Sequence, residues 1–211
     1  MKTSPRAAMM RAIMSDPTSS AATTPSATRS NVREKGRLMS ASEIERTLVR
    51  LAHEIVERNN GSENLGLIGI KRRGIPLAQR IAKLIETIEK TPVDTGVLDI
   101  SFYRDDLSTR DLRPVVEKGE IGFDVNGRDI ILMDDVLYTG RTIRAALDAL
   151  FDQGRPKSVQ LLVLIDRGHR ELPIEARYIG RTVPTSRREI IEVKLREVDQ
   201  DEQVLLAELA D

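Results

Sequence analysis

The sequence predicts an α/β fold with a mainly parallel sheet flanked by helices. Short apolar runs such as DIILMDD and SVQLLVLID alternate with segments in which apolar residues recur at helical spacing. Strands that alternate with helices form parallel sheets, because each crossover helix returns the chain to the same edge and covers a face. A chain of 211 residues with 40% hydrophobic content can bury the core of one such domain.

Composition limits the functional classes. Lys+Arg and Asp+Glu number 33 each, so binding to nucleic acid or to a membrane needs a local patch. The chain has no cysteine, which excludes disulfides and thiolate zinc sites and is compatible with the cytoplasm. No apolar run is long enough to span a bilayer, and the N-terminal region lacks the apolar core of a secretory signal. We therefore expect a cytoplasmic protein without a membrane partner.

The first 33 residues differ in composition from the rest. They include SDPTSSAATTPSATRS, which has too few large apolar side chains to offset the entropy lost on ordering. We expect residues 1–33 to be a disordered extension and residues 34–211 to be a single domain.

The segment SASEIERTLVRLAHEIVERNNG predicts the first helix. Ser40 or Ser42 can cap its start, with a glutamate three residues on, and Gly61 can end it. One apolar stripe recurs at helical spacing and comprises Ile44, Leu48, Leu51, Ala52 and Ile55.

The remaining elements follow in order. NLGLIGI reads as a buried strand, Lys71–Gly74 as a turn and the next apolar stripe as a helix. VLDISFY, DIILMDD and SVQLLVLID read as further strands, with TIRAALDALFDQG as a helix after the second of them. Residues 103–126 form a charged connection that is long for a compact domain, and long connections often act as lids.

The stretch IILMDDVLYTGRT carries the chemistry. Ligands bind at the carboxyl edge of a parallel sheet, which is where Asp134 and Asp135 fall. The turn from Thr139 to Thr142 opens a helix, whose free N–H groups attract anions. The acid pair could bind the diol of a ribose, and the turn could bind a phosphate, so together they fit a phosphorylated sugar. The alternative is a surface connection with solubilising acids. Neither a GxxxxGK[ST] loop nor G-x-G-x-x-G is present, which argues against a P-loop or a standard dinucleotide site.

This stretch resembles the phosphoribosyl-pyrophosphate (PRPP) motif of type I phosphoribosyltransferases. GIKRRG, DISFYRDD, LIDRGHRELPI and IGRTVPTS extend the resemblance from about residue 42 to about residue 198. Together they are similar to the branch of that family that combines uracil phosphoribosyltransferase activity with control of pyrimidine genes. The resemblance implies a Rossmann-like core with a flexible hood loop. The N-terminal tract lies outside it.

The resemblance also implies a reaction and a set of site residues. Uracil and PRPP would give UMP and pyrophosphate, with Mg²⁺ carried by PRPP and no metal bound directly by the protein. Asp134, Asp135 and Arg104 would be catalytic, Arg104 as the lid cation for the leaving group. The nucleotide and PRPP site would comprise Lys71, Arg72, Arg73, Gly74, Asp134, Asp135, Val136, Leu137, Tyr138, Thr139, Gly140, Arg141, Thr142 and Arg167.

An RNA-binding surface is the second functional expectation. Arg46, Arg50 and His53 fall on the face of the first helix opposite its apolar stripe, which without the resemblance reads as a solvated face. In the family, a basic dimer surface binds leader mRNA of pyrimidine genes, more tightly when UMP or UTP is bound. The resemblance adds Thr47 and Arg170 to this surface and implies a homodimer or homotetramer. A salvage enzyme without RNA control and a related enzyme for another base remain as alternatives.

Overall fold

The computed structural model describes residues 32–100 and 121–209, and within these ranges the chain builds two sheets. The strands are β1 (Val32–Ser40), β2 (Leu65–Ile70), β3 (Asp94–Leu98), β4 (Asp129–Leu137), β5 (Ser158–Asp166), β6 (Tyr178–Thr182), β7 (Glu189–Lys194) and β8 (Gln203–Leu209). The helices are α1 (Ala41–Asn59), α2 (Gly74–Glu89), α3 (Arg141–Phe151) and the short α4 (Arg196–Asp199).

The larger sheet confirms the predicted α/β class. Its five strands run in the order β3-β2-β4-β5-β6, and every neighbouring pair is parallel. The central strand β4 is buried on both faces, since Ile131 and Met133 pack with α1 and α2 while Ile130 and Leu132 pack with α3. This two-sided burial explains why β4 reads as a continuous apolar run rather than an alternating one.

Helix α1 begins and ends as its sequence predicts. The Glu43 carboxylate accepts hydrogen bonds from the Ser40 N–H and Oγ, both at 2.8 Å, and these two bonds lower the pKa of Glu43 to about 2. At the other end Asn60 takes the left-handed conformation, and Gly61 donates its N–H to the carbonyl oxygen of Val56 at 3.0 Å.

The strand predicted at VLDISFY is displaced. The observed strand β3 ends at Leu98, because its ladder with β2 runs from Gly66–Asp94 to Ile70–Leu98 and β2 ends there. Asp99 and Ile100 therefore follow the strand instead of lying in it.

A second sheet was not predicted. We call β1, β8 and β7 the hood sheet, in which β8 pairs antiparallel with both neighbours. Val32 and Arg33 pair with Leu209 and Glu208, so the domain includes two residues that the sequence analysis assigned to the N-terminal extension. The rest of that extension lies outside the described residues. Within those residues, no helix is long and apolar enough to cross a membrane.

Candidate active site

The acid pair lies where β4 outruns its neighbour β2. The last rung between the two strands joins Gly69 to Met133, whereas β4 continues beside β5 as far as Leu137. Asp134 therefore lies level with Ile70, the last residue of β2, and Asp135 lies one residue beyond it, next to the loop that leads from β2 into α2. The strand ladders alone bring these two segments together at the carboxyl edge.

A polar cavity of about 530 Å³ opens at this edge. It is lined by Lys71, Arg72, Arg73, Asp99, Ile100, Asp134, Asp135, Val136 and Thr142. The cavity joins the basic turn, the acid pair and the start of α3, which are the three segments that the sequence analysis assigned to PRPP. Sequence reasoning missed Asp99, because it placed this residue inside the strand predicted at VLDISFY, whereas the observed strand ends one residue before it.

The two carboxylates of the acid pair have different environments. Asp134 is only 7% exposed, while Asp135 is half-buried. Asp134 accepts a hydrogen bond from the Asp135 N–H at 2.9 Å, and Asp135 accepts one from the Val136 N–H at 3.1 Å. Burial raises the pKa of Asp134 well above its usual value, and the charge of Asp135 raises it further. Both carboxyl groups line the cavity and can accept or share hydrogen bonds with a diol.

The predicted pyrophosphate loop, residues 71–73, is packed against β4 through a glycine. A Cβ placed on Gly74 would lie 2.3 Å from the carbonyl oxygen of Met133, so only glycine permits this approach. At the start of the loop, the Lys71 N–H donates to the carbonyl oxygen of Leu98 at 3.0 Å. The peptide between Lys71 and Arg72 is cis.

The three basic side chains of this loop have different surroundings. Lys71 pairs with Asp99 at 2.8 Å and is half exposed, and Arg72 is exposed. Arg73 instead forms a two-pronged pair with Asp199 of α4. The loop therefore offers Lys71 and Arg72 to an anion, while Arg73 is held by α4.

The turn from β4 into α3 has the backbone of an anion site. Gly140 caps α3 in the left-handed conformation with φ 92°, and Thr139 accepts N–H bonds from Glu171 and Leu172 at 3.0 and 3.2 Å. Arg141 pairs with Glu171 at 2.8 Å, so its guanidinium is held on the outer side of the turn. What the turn presents to a phosphate is thus the helix N-terminus with its hydroxyls.

Arg167 links the base loop, residues 166–170, to this turn. Its guanidinium stacks on the Tyr138 ring at 4.2 Å and donates to the carbonyl oxygens of Ser186 and Glu189 at 3.1 and 2.6 Å. Only 7% of Arg167 is exposed. The side chain predicted to lie nearest the nucleotide thus braces Tyr138 against the segment that leads into the hood sheet.

The residues predicted to bind RNA fall into two groups. Arg46 and His53 are exposed on α1, and Thr47 is half-buried. Arg50 donates to the carbonyl oxygens of Ile179 and Gly180, both at 2.9 Å.

Arg170 is occupied by the base loop itself. It donates to the carbonyl oxygens of Tyr138, Gly168 and Ile174 and pairs with Asp166 at 2.5 Å. Arg50 and Arg170 are thus held by hydrogen bonds within the fold, whereas Arg46 and His53 are exposed on α1.

Two expectations concern the lid and the metal. Arg104 lies outside the described residues, as do Tyr103, Asp105 and Asp106 of the predicted lid. Within residues 32–100 and 121–209, no group of three or more His, Cys, Asp or Glu side chains is arranged to hold a metal ion. The aspartates of the cavity nevertheless fit Mg²⁺ brought by a substrate, because that ion is usually held by one or two carboxylates together with phosphate oxygens and water.

Comparison with known proteins identifies the family. The family described as phosphoribosyl transferase domain matches residues 36–197. A protein of Pelotomaculum thermopropionicum named "Bifunctional protein PyrR" is 56% identical over 179 residues, which cover 85% of this chain and 99% of that protein. The chain belongs to the PyrR family of phosphoribosyltransferases.

Further comparisons agree with this membership. The "Bifunctional protein PyrR" of Clostridioides difficile is 58% identical over 83% of this chain and 99% of its own. The fold is shared more widely than the PyrR family. A hypoxanthine phosphoribosyltransferase of Staphylococcus aureus superimposes with a TM-score of 0.61 at 20% identity, over 84% of this chain and 93% of that one.

Proposed function

We propose that this protein is a uracil phosphoribosyltransferase that also regulates pyrimidine genes by binding their leader RNA when a uridine nucleotide occupies the active site. The cavity at the end of β4 is the observation that carries the enzymatic part, because it joins an anion turn, an acid pair and a basic loop. These are the three groups that PRPP needs for its 5′-phosphate, ribose and pyrophosphate. Kinship with proteins named bifunctional PyrR supports the second part.

The residues around the cavity divide the substrate between them. The backbone from Thr139 to Thr142 holds the 5′-phosphate at the N-terminus of α3. Asp134 and Asp135 bind the two ribose hydroxyls. Lys71 and Arg72 stabilise the charge on pyrophosphate. Mg²⁺ enters with PRPP and supplies further charge neutralisation for the same leaving group.

The chemical step needs this charge neutralisation more than it needs an acid or a base. The bond between uracil N1 and the ribose C1 forms while the bond from C1 to the pyrophosphate oxygen breaks, and the N1 proton passes to the departing pyrophosphate or to water. Positive charge develops on the ribose and negative charge on the departing pyrophosphate. Arg104, which lies outside the described residues, would add a cation beside pyrophosphate.

The base loop recognises uracil mainly through backbone groups. Arg167 serves this loop indirectly, by fixing Tyr138 and the 185–189 segment. Because backbone recognition leaves few side chains to identify the base, the choice of uracil rests on the PyrR relatives.

The enzymatic proposal is tested by offering two bases. With PRPP and Mg²⁺, we expect release of pyrophosphate and UMP from uracil, and little or no IMP from hypoxanthine, the base of the structural neighbours. Transfer to hypoxanthine with no transfer to uracil would contradict the assignment, whereas failure with both bases would remove the enzymatic function.

The regulatory proposal places leader RNA on the face of α1 that carries the exposed Arg46 and His53. UMP can raise the affinity for leader RNA only as far as it binds the RNA-competent state better, and RNA must tighten UMP by the same factor. We expect both effects in a titration of leader RNA with and without UMP. Sedimentation of the same samples measures the proposed dimer or tetramer. Absence of specific RNA binding would leave a cytoplasmic salvage enzyme.

A further inference from the structure

Arg73 belongs to the pyrophosphate loop but is bound outside it. Its Nε and an Nη donate to the two carboxylate oxygens of Asp199 at 3.0 and 2.7 Å. The Arg73 side chain is 31% exposed and that of Asp199 is 19% exposed, so solvent reaches the pair only in part. Asp199 is itself fixed, because it also accepts the Leu195 N–H at 2.9 Å. The pair is therefore a bidentate connection between two ordered segments.

Because Arg73 ends the loop that lines the cavity, the pair with Asp199 can fix the shape of that loop. Arg73 is the N-cap residue of α2 and directly precedes Gly74, which is packed on Met133. The other end of the loop is held by the bond from the Lys71 N–H to Leu98. Lys71 and Arg72 therefore lie between two anchors, and at the second anchor Arg73 donates two side-chain hydrogen bonds to Asp199.

We propose that Asp199 is a positioning residue for pyrophosphate, acting through Arg73 on the shape of the 71–73 loop. This inference rests on the proposed phosphoribosyltransferase function. Asp199 lies in α4 beside the hood sheet, 126 residues from Arg73, and it touches no substrate itself. Its carboxylate pairs with Arg73 and fixes that side chain at the edge of the cavity, so that Lys71 and Arg72 meet pyrophosphate in a fixed geometry.

The chain offers a matched control for this proposal. Arg80, also on α2, forms a two-pronged pair with Glu197 of α4 at 2.8 and 2.7 Å. This pair joins the same two helices and has the same chemistry, but it lies away from the loop. Arg80 also bonds Glu202 at 2.5 Å, so a purely structural role of α2–α4 ion pairs would let both Asp199→Asn and Glu197→Gln lower stability without a selective loss of pyrophosphate binding.

The experiment measures binding of pyrophosphate, PRPP and UMP to wild type, Asp199→Asn and Glu197→Gln in the presence of Mg²⁺. Asparagine keeps an oxygen for the Leu195 N–H and loses the charge that holds Arg73. We expect Asp199→Asn to weaken pyrophosphate and PRPP roughly tenfold, the size of one lost charge-assisted hydrogen bond, and to leave UMP unchanged. Glu197→Gln should bind all three ligands as wild type does.

A second background shows whether Asp199 acts through Arg73. In Arg73→Gln, the further change Asp199→Asn should have no additional effect on pyrophosphate binding, because its partner has already gone. The inference is overturned if Asp199→Asn binds pyrophosphate like wild type, if Glu197→Gln weakens it equally, or if UMP weakens in parallel. These binding measurements need no uracil. If Asp199→Asn weakens pyrophosphate binding but the protein does not transfer uracil, the assignment of uracil as the base is wrong and this inference still stands.

Discussion

At the end of β4, residues far apart in the sequence meet in one cavity. On α1, by contrast, residues that share one helix face do not share one environment. Lys71, Asp134 and Thr142 all line the cavity, as their motifs predict. On α1, Arg46 and His53 are exposed, but Arg50 reaches across to two carbonyl oxygens of β6.

The difference comes from how each pattern fixes a side chain. A strand ladder places the next residue within a few ångströms of a known neighbour, so carboxyl ends of adjacent parallel strands must meet. Helical periodicity fixes only the direction of the Cα–Cβ bond. A long arginine side chain then binds whatever acceptor lies in reach, and β6 is an edge strand with unpaired carbonyl groups.

The largest expected effect is a loss of activity when the acid pair of the cavity is changed. Replacing Asp134 and Asp135 together by Asn should reduce kcat/KM for PRPP by at least about 100-fold, since it removes the hydrogen bonds of both carboxyl groups to the ribose hydroxyls, and a bond to a charged group contributes roughly 1.5–3 kcal/mol. Steady-state kinetics measure this. Asp129→Asn is the control, because Asp129 lies at the opposite end of β4 and binds Lys157 and Ser158. Wild-type kinetics in the double variant would contradict the diol assignment.

The next effect tests whether close packing places the basic loop. In Gly74→Ala the new Cβ would meet the Met133 carbonyl oxygen at 2.3 Å, so the loop must move. We expect roughly tenfold weaker PRPP binding and a loss of about 1–3 kcal/mol in unfolding free energy. Calorimetric titration and denaturant unfolding measure the two. Gly36→Ala should change neither, because no atom lies within 4 Å of its added Cβ.

On α1, Arg46 and Arg50 can be changed one at a time to compare an RNA-contacting arginine with one that holds the fold. If Arg46 contacts RNA phosphate, Arg46→Ala should lower the slope of log affinity against log salt by roughly one, and uracil transfer should survive. Adding His53→Ala should weaken RNA binding further. Arg50→Ala should instead lower the melting temperature by roughly 2–4 °C, as expected for about 1 kcal/mol in a domain of this size. Equal RNA binding by wild type and the Arg46→Ala, His53→Ala variant would remove this face from the interface.

The smallest effect is a pH dependence of stability at Asp134. Because burial raises the pKa of this carboxyl in the folded state, the stability that its protonated form contributes is present below the unfolded pKa. That contribution is lost as the pH rises through the raised folded pKa. Asp134→Asn cannot ionise, so its melting temperature should exceed that of wild type by a few degrees at pH 8, and the difference should shrink towards pH 4. A difference independent of pH would show that Asp134 is not the titrating group.

Local sequence determined the elements that carry the site. The apolar run of β4, the acid pair at its end and the Gly-Arg-Thr turn could be placed from residues 129–142 alone, because strand burial and helix initiation depend on near neighbours. The capping of α1 by Glu43 was readable for the same reason.

Only the tertiary structure decided the contacts between distant segments. The hood sheet pairs β1 with β8, so residues near 32 meet residues near 209, and no local pattern encodes such a partner. The same holds for Asp199 on Arg73 and for Arg167 under Tyr138. A basic side chain in a sequence has many possible acceptors, and its partner is chosen by which segments the packed sheets bring within about 3 Å of it.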